Sequence, residues 1–272
     1  MIEFLKAVLF GIIEGITEWL PVSSTGHLNI LQKIAPLNVT DSFYELFKVV
    51  IQLGAIMAVV VRFFHKLWPF SSKKSQLQRN MTWNLWFKVI VAVLPSAVLG
   101  LLFDDFLEAH LNGFPALSVT LIFYGIIFIF VEKWVKSYKI TDVHAIDYRT
   151  ALLIGAFQCL SLIPGTSRSG ATILGALLLG VSRSAGAEFS FFLAIPTMLG
   201  ASGLKLVKFL LEGNFPTQNE LLILLIGCVS AFFVSILVIR ALMDFVRKHS
   251  FAPFGIYRIV LGAVVLGWFL LR

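Results

Sequence analysis

Long apolar runs recur along the whole chain, each close to the roughly 20 residues that a helix needs to cross the core of a bilayer. Six of them are continuous, at residues 43–64, 85–103, 115–134, 187–211, 220–242 and 253–271. This pattern predicts six transmembrane helices.

Two further apolar regions, 1–34 and 149–180, are interrupted near their middle by clusters of Pro, Gly, Ser and Thr. The interruptions read "LPVSSTGH" and "IPGTSRSGAT". Backbone that is not helical is tolerated at membrane depth only where it is buried in protein or lines a wet cavity. Both regions are therefore predicted to be re-entrant helical hairpins.

The order of these elements, one hairpin and three spans, occurs twice. The first half-repeat covers 1–135 with its hairpin at 1–34, and the second covers 149–272 with its hairpin at 149–180. Because three is odd, the second half starts on the opposite side of the membrane, which predicts an inverted-topology repeat within a single membrane domain, 1–272. A shift of 144 residues aligns Gly11 with Gly155, Ser23 with Ser167 and Gly26 with Gly170, and places Glu14 opposite Gln158.

Composition agrees with an all-α integral membrane protein. Of the 272 residues, 58% are hydrophobic and 14% are charged, against roughly 25% charged in soluble domains. The net charge of +7 does not indicate a nucleic-acid partner, since most Lys and Arg lie in short loops between apolar runs. Cys159 and Cys228 are expected to be free thiols, and residues 1–13 to be part of the mature protein rather than a signal peptide.

Loop charge predicts the orientation. Loops 65–84, 135–149 and 243–252 fall on one side and carry Lys66, Lys73, Lys74, Arg79, Lys136, Lys139, Arg149, Arg247 and Lys248. The opposite loops, 104–114 and 212–219, have no Lys or Arg, and the first holds Asp104, Asp105 and Glu108. The basic side is expected to be cytoplasmic. The first hairpin then enters from outside, the second from the cytoplasm, and both termini lie outside.

Glu14 and Glu18 stand four residues apart and share one helix face just before the first interruption. An acidic residue in mid-membrane costs about 2.5–3.5 kcal/mol on insertion scales. A divalent cation, an arginine or a shared proton would offset that cost. The alternative is that both carboxylates lie at the outer interface, in contact with water, beside Trp19 and Pro21.

The first interruption itself, "VSSTGH", offers donors that suit an anion. Backbone N–H groups around Gly26 and the hydroxyls of Ser23, Ser24 and Thr25 can point at one oxyanion. Helix capping is the competing explanation for the hydroxyls, and at least one of them is expected to cap. Capping does not account for His27, which we interpret as functional.

The second interruption, "PGTSRSGAT", carries Arg168 between Ser167 and Ser169. A buried arginine among hydroxyls suits phosphate, whereas an interfacial arginine would extend to the lipid headgroups. Farther on, Arg183 is expected near the cytoplasmic surface, in contact with headgroups, and Glu188 is expected to cap the next span or to pair with Arg183.

Two hairpins that meet at the centre of the protein would bring together carboxylates, hydroxyls, a histidine and an arginine. Carboxylates can hold a cation or activate a nucleophile, and the arginine can bind a phosphoryl oxygen. The combination indicates a phosphoryl-transfer site within a membrane.

"EGITEWLPVSSTGH" and "PGTSRSGAT" resemble the two signature segments of the bacterial undecaprenyl-diphosphate phosphatases, the family linked to bacitracin resistance. The likeness extends over essentially the full chain, including "VVIQLGAI" and "GVSRSAGAEFSFFLAIP". It implies a bacterial plasma-membrane enzyme that converts the polyprenyl diphosphate into the monophosphate carrier lipid of peptidoglycan synthesis. It also implies a divalent cation, Mg²⁺ or Ca²⁺, and accepts glutamine at position 158.

The resulting hypothesis has Ser24 attack the terminal phosphorus while Glu18 or His27 removes its proton and Arg168 stabilises the developing charge. Glu14 and Glu18 would hold the cation or orient the base. The predicted diphosphate contacts are Ser23, Thr25, Gly26, Gln158, Ser167, Ser169, Gly170 and Thr172. His27 and a cation-bound water remain open as nucleophiles, and the pocket is expected to open to the outer face. A transporter or flippase of a phosphate-containing lipid or anion is the alternative, because broken helices in inverted repeats are typical of transporters.

Overall fold

The computed structural model describes residues 1–111, 113–135 and 137–271, without the side chains from 104 to 111. Of the residues that entered the prediction of orientation, Lys136 lies outside the described residues, and the side chains of Asp104, Asp105 and Glu108 are not described.

Six helices are long and apolar enough to cross a membrane, which confirms the predicted spans. They are α3 (Asp41–Arg62), α5 (Gln76–Leu111), α6 (Phe114–Trp134), α9 (Arg183–Leu211), α10 (Gln218–Val246) and α11 (Ala252–Leu270). Helices α5 and α9 begin earlier than their apolar runs, because Ser75 and Ser182 accept hydrogen bonds from the backbone N–H groups of Gln78 and Ala185.

Five shorter helices and two 3₁₀ turns complete the described chain. The helices are α1 (Ile2–Thr17), α2 (Ser24–Ile34), α4 (Phe64–Leu67), α7 (Tyr148–Gln158) and α8 (Arg168–Leu178). The 3₁₀ turns are Val143–Ala145 and Cys159–Leu162. Both predicted hairpins are thus pairs of short helices broken at the Ser- and Gly-containing turns, and α1 packs on α2 as α7 packs on α8. Their re-entry into the bilayer stays a prediction.

Helices from one half of the chain pack against helices from the other half. Helix α1 of the first half lies against α10 of the second, and α7 of the second half lies against α5 of the first. Glycine permits both contacts: a Cβ added to Gly11 would stand 2.4 Å from the carbonyl oxygen of Gly227, and one added to Gly155 would stand 2.0 Å from that of Ala92. Gly11 and Gly155 are separated by 144 residues, so the aligned glycines have the same packing role.

Two further contacts join equivalent helices of the two halves, α3 with α9 and α6 with α11, while α3 also packs on α10 and α9 on α5. In the α6–α11 pair, Gly125 and Gly255 meet directly, and a Cβ on either would approach the other's carbonyl oxygen to 2.7 or 2.5 Å. Packing of this kind between the halves is what an internal two-fold repeat requires. The inverted arrangement relative to a membrane stays a prediction.

Candidate active site

The two broken turns have the same unusual backbone conformation. Ser23 and Ser167, the residues before α2 and α8, have φ values of 72° and 73° and are the only residues other than glycine with positive φ in the part of the chain described. Each hydroxyl accepts a hydrogen bond from the N–H three residues later, from Gly26 at 3.4 Å and from Gly170 at 3.2 Å. A left-handed serine costs of order 1 kcal/mol or more, and such strain tends to cluster at functional sites.

The first residues of α2 and α8 meet at one buried carboxylate, Glu18. The Ser24 hydroxyl donates to Glu18 Oε2 at 2.5 Å. From the other turn, Arg168 Nη2 and Nε lie 3.2 and 3.4 Å from Glu18 Oε1. Glu18 is 4% exposed, so the carboxylate is enclosed by a hydroxyl and a guanidinium supplied by two helix N-termini. The positive ends of two helix dipoles therefore point at the same small volume.

Arg168 is held in place on its other side by α9. Its Nη1 donates to the carbonyl oxygen of Ser190 at 2.8 Å. Thr172, one turn farther along α8, shares a 2.6 Å hydrogen bond with the Ser190 hydroxyl. A guanidinium has five N–H groups, and the bonds to Glu18 and Ser190 use one on each of its three nitrogens. One N–H on Nη1 and one on Nη2 remain for an incoming oxyanion.

Ser169 ties the second turn to the backbone of the first. Its hydroxyl lies 2.9 Å from the carbonyl oxygen of Glu18 and 3.2 Å from that of Leu20. The Ser167 hydroxyl is 3.2 Å from that of Ser169. Residues that the sequence marked as diphosphate contacts therefore also hold the two turns together.

Arg258, on α11, hydrogen-bonds to the backbone of both turns. The sequence analysis did not single it out. It is fully buried and donates from Nη1 to the carbonyl oxygens of Pro21 and Thr166, each at 3.0 Å, and from Nη2 to that of Gly165 at 2.8 Å. An arginine within the apolar run "GIYRIVLGA" is itself a signal, because ionisable residues inside spans are rare and functional as a rule.

Glu14 is fully buried, and neither of its carboxylate oxygens has a hydrogen-bond partner among the described residues. It lies within electrostatic range of Glu18 and Arg168. Its counterpart, Gln158, is also fully buried, but its amide nitrogen donates to Ser96 at 2.6 Å and to Thr197 at 3.2 Å. Gln158 thus binds other helices of the core through its amide nitrogen, although its Oε1, like both oxygens of Glu14, has no partner among the described residues.

His27 hydrogen-bonds to Ser23 and Tyr257 and not to Ser24 or Glu18 in the described part of the chain. Its Nδ1 is 2.7 Å from the carbonyl oxygen of Ser23, and its Nε2 is 2.7 Å from the hydroxyl of Tyr257. Because the carbonyl can only accept, Nδ1 carries the proton and Nε2 accepts from the tyrosine. The tyrosine ring also stacks on the imidazole, with ring centroids 5.7 Å apart.

Of the other residues considered from the sequence, Thr25 is exposed and Gly26 is buried beside Leu117. The expected pairing of Glu188 with Arg183 is wrong, and the headgroup contact expected for Arg183 stays a prediction. Arg183 forms a two-point ion pair with Glu132, one bond of which is 3.1 Å long, and Glu188 pairs with Lys66 at 2.6 Å rather than with Arg183. Both pairs join distant segments, so local spacing could not identify the partners.

Comparisons with known proteins agree on one family. The family model described as bacitracin resistance protein BacA matches residues 7–264. A protein of Enterococcus faecalis named undecaprenyl-diphosphatase is 55% identical over 267 residues, which is 97% of each chain. Proteins with the same name from Streptococcus agalactiae and Limosilactobacillus fermentum are each 53% identical, over 99% and 100% of this chain and 98% and 99% of their own. The chain therefore belongs to the bacitracin resistance protein BacA family.

Proposed function

We infer that this chain is a multi-pass membrane phosphatase that hydrolyses undecaprenyl diphosphate to undecaprenyl phosphate and inorganic phosphate. The inference rests on family membership and on relatives named undecaprenyl-diphosphatase along almost their full length. The activity returns the carrier lipid to peptidoglycan synthesis and removes the diphosphate lipid, which accounts for the family's link to bacitracin resistance.

The observation that carries the proposed mechanism is the contact of Ser24 and Arg168 with the same carboxylate. Ser24 Oγ attacks the terminal phosphorus, and Glu18 Oε2, at 2.5 Å, accepts its proton. A new bond forms between Oγ and phosphorus as the bond from phosphorus to the bridging oxygen breaks, so undecaprenyl phosphate leaves with that electron pair. The two free N–H groups of Arg168 bind the equatorial oxygens, where negative charge develops.

The second step regenerates the enzyme. Glu18 first passes the proton it took from Ser24 to the departing undecaprenyl phosphate. A water molecule then attacks the phosphoserine, Glu18 accepts a proton from that water and returns it to Ser24 Oγ, and the bond from Oγ to phosphorus breaks as inorganic phosphate is released. Glu18 is the preferred base over His27 because the serine hydroxyl already points at it, while His27 Nε2 is occupied by Tyr257. His27 and Tyr257 serve instead to position Ser23 and the start of α2.

A divalent cation, Mg²⁺ or Ca²⁺, fits the two carboxylates. Glu14 is the test of fit, since a fully buried carboxyl group next to Glu18 needs either a shared proton or a counter-charge, and a cation would supply the second. No cluster of three or more candidate metal ligands occurs in the described chain. Mg²⁺ commonly takes only one or two carboxylates and completes its coordination with substrate phosphates and water. When bound, the cation would neutralise diphosphate charge, while Glu14 and Glu18 would hold it.

The substrate geometry follows from the arrangement of the turns. The polyprenyl tail lies against the apolar surfaces of the spans, and the diphosphate reaches the two helix N-termini. From the loop charges we place the opening of the site on the outer face of the bacterial plasma membrane. The alternative function, a transporter or flippase, gains no support from relatives named as diphosphatases.

The direct test is release of inorganic phosphate by the purified protein from a polyprenyl diphosphate in detergent, with Mg²⁺, Ca²⁺ or a chelator. We expect release without any membrane gradient, restored by at least one cation after chelation. Absence of release in the presence of both cations would contradict the phosphatase assignment, and full activity in chelator would contradict the cation.

A further inference from the structure

A groove lined by both polar and apolar residues lies beside α2, next to the two turns. It has a volume of about 390 Å³ and runs between α2, α3, the start of α6 and the second turn. Its inner wall includes Thr25, Gly26 and Gly165, and its outer wall includes Asn29, Lys33 and Lys48. We name it the lysine groove.

Lys48 is the most constrained charge in the lysine groove. It is 8% exposed, donates to Asn29 Oδ1 at 3.2 Å, pairs with Glu45 at 2.7 Å and lies 5.0 Å from the centre of the Tyr44 ring. Lysines are almost never buried to this degree unless they are paired, and Glu45 and Asn29 supply the partners here. The contacts hold the ammonium in one position at the wall of the groove.

Lys33 adds a second positive charge at the rim. It is exposed, and no hydrogen bond or ion pair of its side chain is recorded in the described chain. Two lysines face one glutamate, Glu45, so the charged side chains of the lining sum to one positive charge. The groove therefore attracts anions.

Leu117 lines the lysine groove together with glycines of both turns. Its Cδ1 would lie 3.0 Å from a Cβ on Gly26 and 2.9 Å from one on Gly165, so each turn approaches it through a glycine. Thr25 lines the groove, and its neighbour Ser24 bonds Glu18. The proposed nucleophile and a residue of the groove wall are therefore adjacent in the chain.

We propose that the lysine groove binds the inorganic phosphate released by the reaction and forms its exit route to water. The proposal rests on the phosphatase function. Undecaprenyl phosphate carries a hydrocarbon tail and must leave along the bilayer, whereas inorganic phosphate is small, doubly charged and strongly hydrated. The groove suits the second product, because Asn29, Lys33 and Lys48 on its wall carry N–H groups that can donate to phosphate oxygens.

The experiment measures inhibition of lipid diphosphate hydrolysis by added inorganic phosphate. Phosphate in the lysine groove can bind while lipid is present, so the wild type should show a non-competitive component of inhibition. Lys48→Met should raise the inhibition constant about 10-fold, equal to about 1.4 kcal/mol, and Lys33→Met about 3-fold because it is exposed. Lys48→Arg should keep the inhibition, and Lys73→Met, in a distant loop, is the matched control.

Binding is checked without catalysis by thermal unfolding in detergent. Inorganic phosphate should raise the unfolding temperature of the wild type, and the increase should shrink in Lys33→Met and Lys48→Met. If Lys48→Met does not fold, Lys33→Met and Lys48→Arg still decide the outcome.

Equal inhibition constants and equal thermal shifts in all variants would overturn the proposal, as would purely competitive inhibition. The same assay in vesicles of phosphatidylcholine with and without phosphatidylglycerol separates the two sources of phosphate. A Lys48-dependent effect of phosphatidylglycerol, with no effect of inorganic phosphate, would identify a headgroup site and contradict an exit route. Failure of the wild type to release phosphate would instead refute the phosphatase function. The thermal shifts would then still show whether the lysine groove binds inorganic phosphate.

Discussion

The turn between α1 and α2 and the turn between α7 and α8 have nearly the same backbone and different chemistry. In both, a left-handed serine caps the following helix and accepts from a glycine three residues on. At the first residue of that helix, however, one turn has Ser24 and the other has Arg168. The position equivalent to Glu18 is Leu162.

The difference shows how a repeated scaffold makes one asymmetric site. The first turn supplies the proposed nucleophile and base, and the second supplies a cation that meets the same carboxylate from the opposite side. In the proposed mechanism neither turn holds a complete site, because Ser24 without Arg168 would lack charge stabilisation and Arg168 alone would have no reacting group. The similar backbones place the two helix N-termini next to each other, and the different side chains at those N-termini give each turn its proposed role.

The largest effect is expected from Ser24→Ala, which removes the hydroxyl that the first turn has where the second turn has Arg168. Loss of an attacking hydroxyl should lower kcat by at least about 10³-fold. Phosphate release measures it, and Ser202→Ala, which removes a buried hydroxyl bonded to Val49 far from the turns, is the control. Near-normal turnover in Ser24→Ala together with its loss in His27→Ala would transfer the nucleophile to the histidine.

Arg168→Lys tests the second turn and should lower kcat by about 10²-fold or more. Lysine keeps the charge but cannot bond Glu18, Ser190 and an oxyanion together through a planar fork. The matched control is Arg183→Lys, since Arg183 pairs with Glu132 away from the site. Equal rates for Arg168→Lys and wild type would refute the proposed phosphoryl clamp.

Glu14→Gln gives the first turn the residue found at the equivalent place in the second. Removal of an unpaired buried carboxylate should weaken the apparent affinity for Mg²⁺ or Ca²⁺ about 10-fold, in line with the loss of one ligand or partner group. Titration of phosphate release with each cation measures this, and Glu212→Gln, at the exposed end of α9, is the control. An unchanged cation titration would remove Glu14 from the cation site.

The smallest effect is expected from Ser23→Gly and Ser167→Gly, which test the equivalence itself. Glycine relieves the left-handed conformation, while loss of the cap costs a few tenths of a kcal/mol. Both variants should unfold within about 1 kcal/mol of the wild type and shift in the same direction. Thermal unfolding in detergent measures both, and a large loss at only one position would show that the turns are not equivalent.

Much of the fold was predictable because it is local. Continuous apolar runs identify spans without any knowledge of neighbours, and Pro, Gly and Ser clusters mark where helices break. The family function was also predictable, because each of the two motifs lies within one short stretch of sequence. The comparisons confirm the family. The alignment of Ser23 with Ser167 anticipated a shared turn, although nothing local required a positive φ at either serine.

The sequence by itself thus determined the six spans, the two breaks and the residue types that meet at the site. Only the tertiary structure decided that Ser24 and Arg168 share Glu18, that His27 turns to Tyr257, and that Arg258 binds both turns. The physical reason is that each of these contacts joins parts of the protein brought together by packing. Helix packing between the halves sets those distances, and that packing depends on close approach at Gly11 and Gly155 rather than on any pattern within one segment.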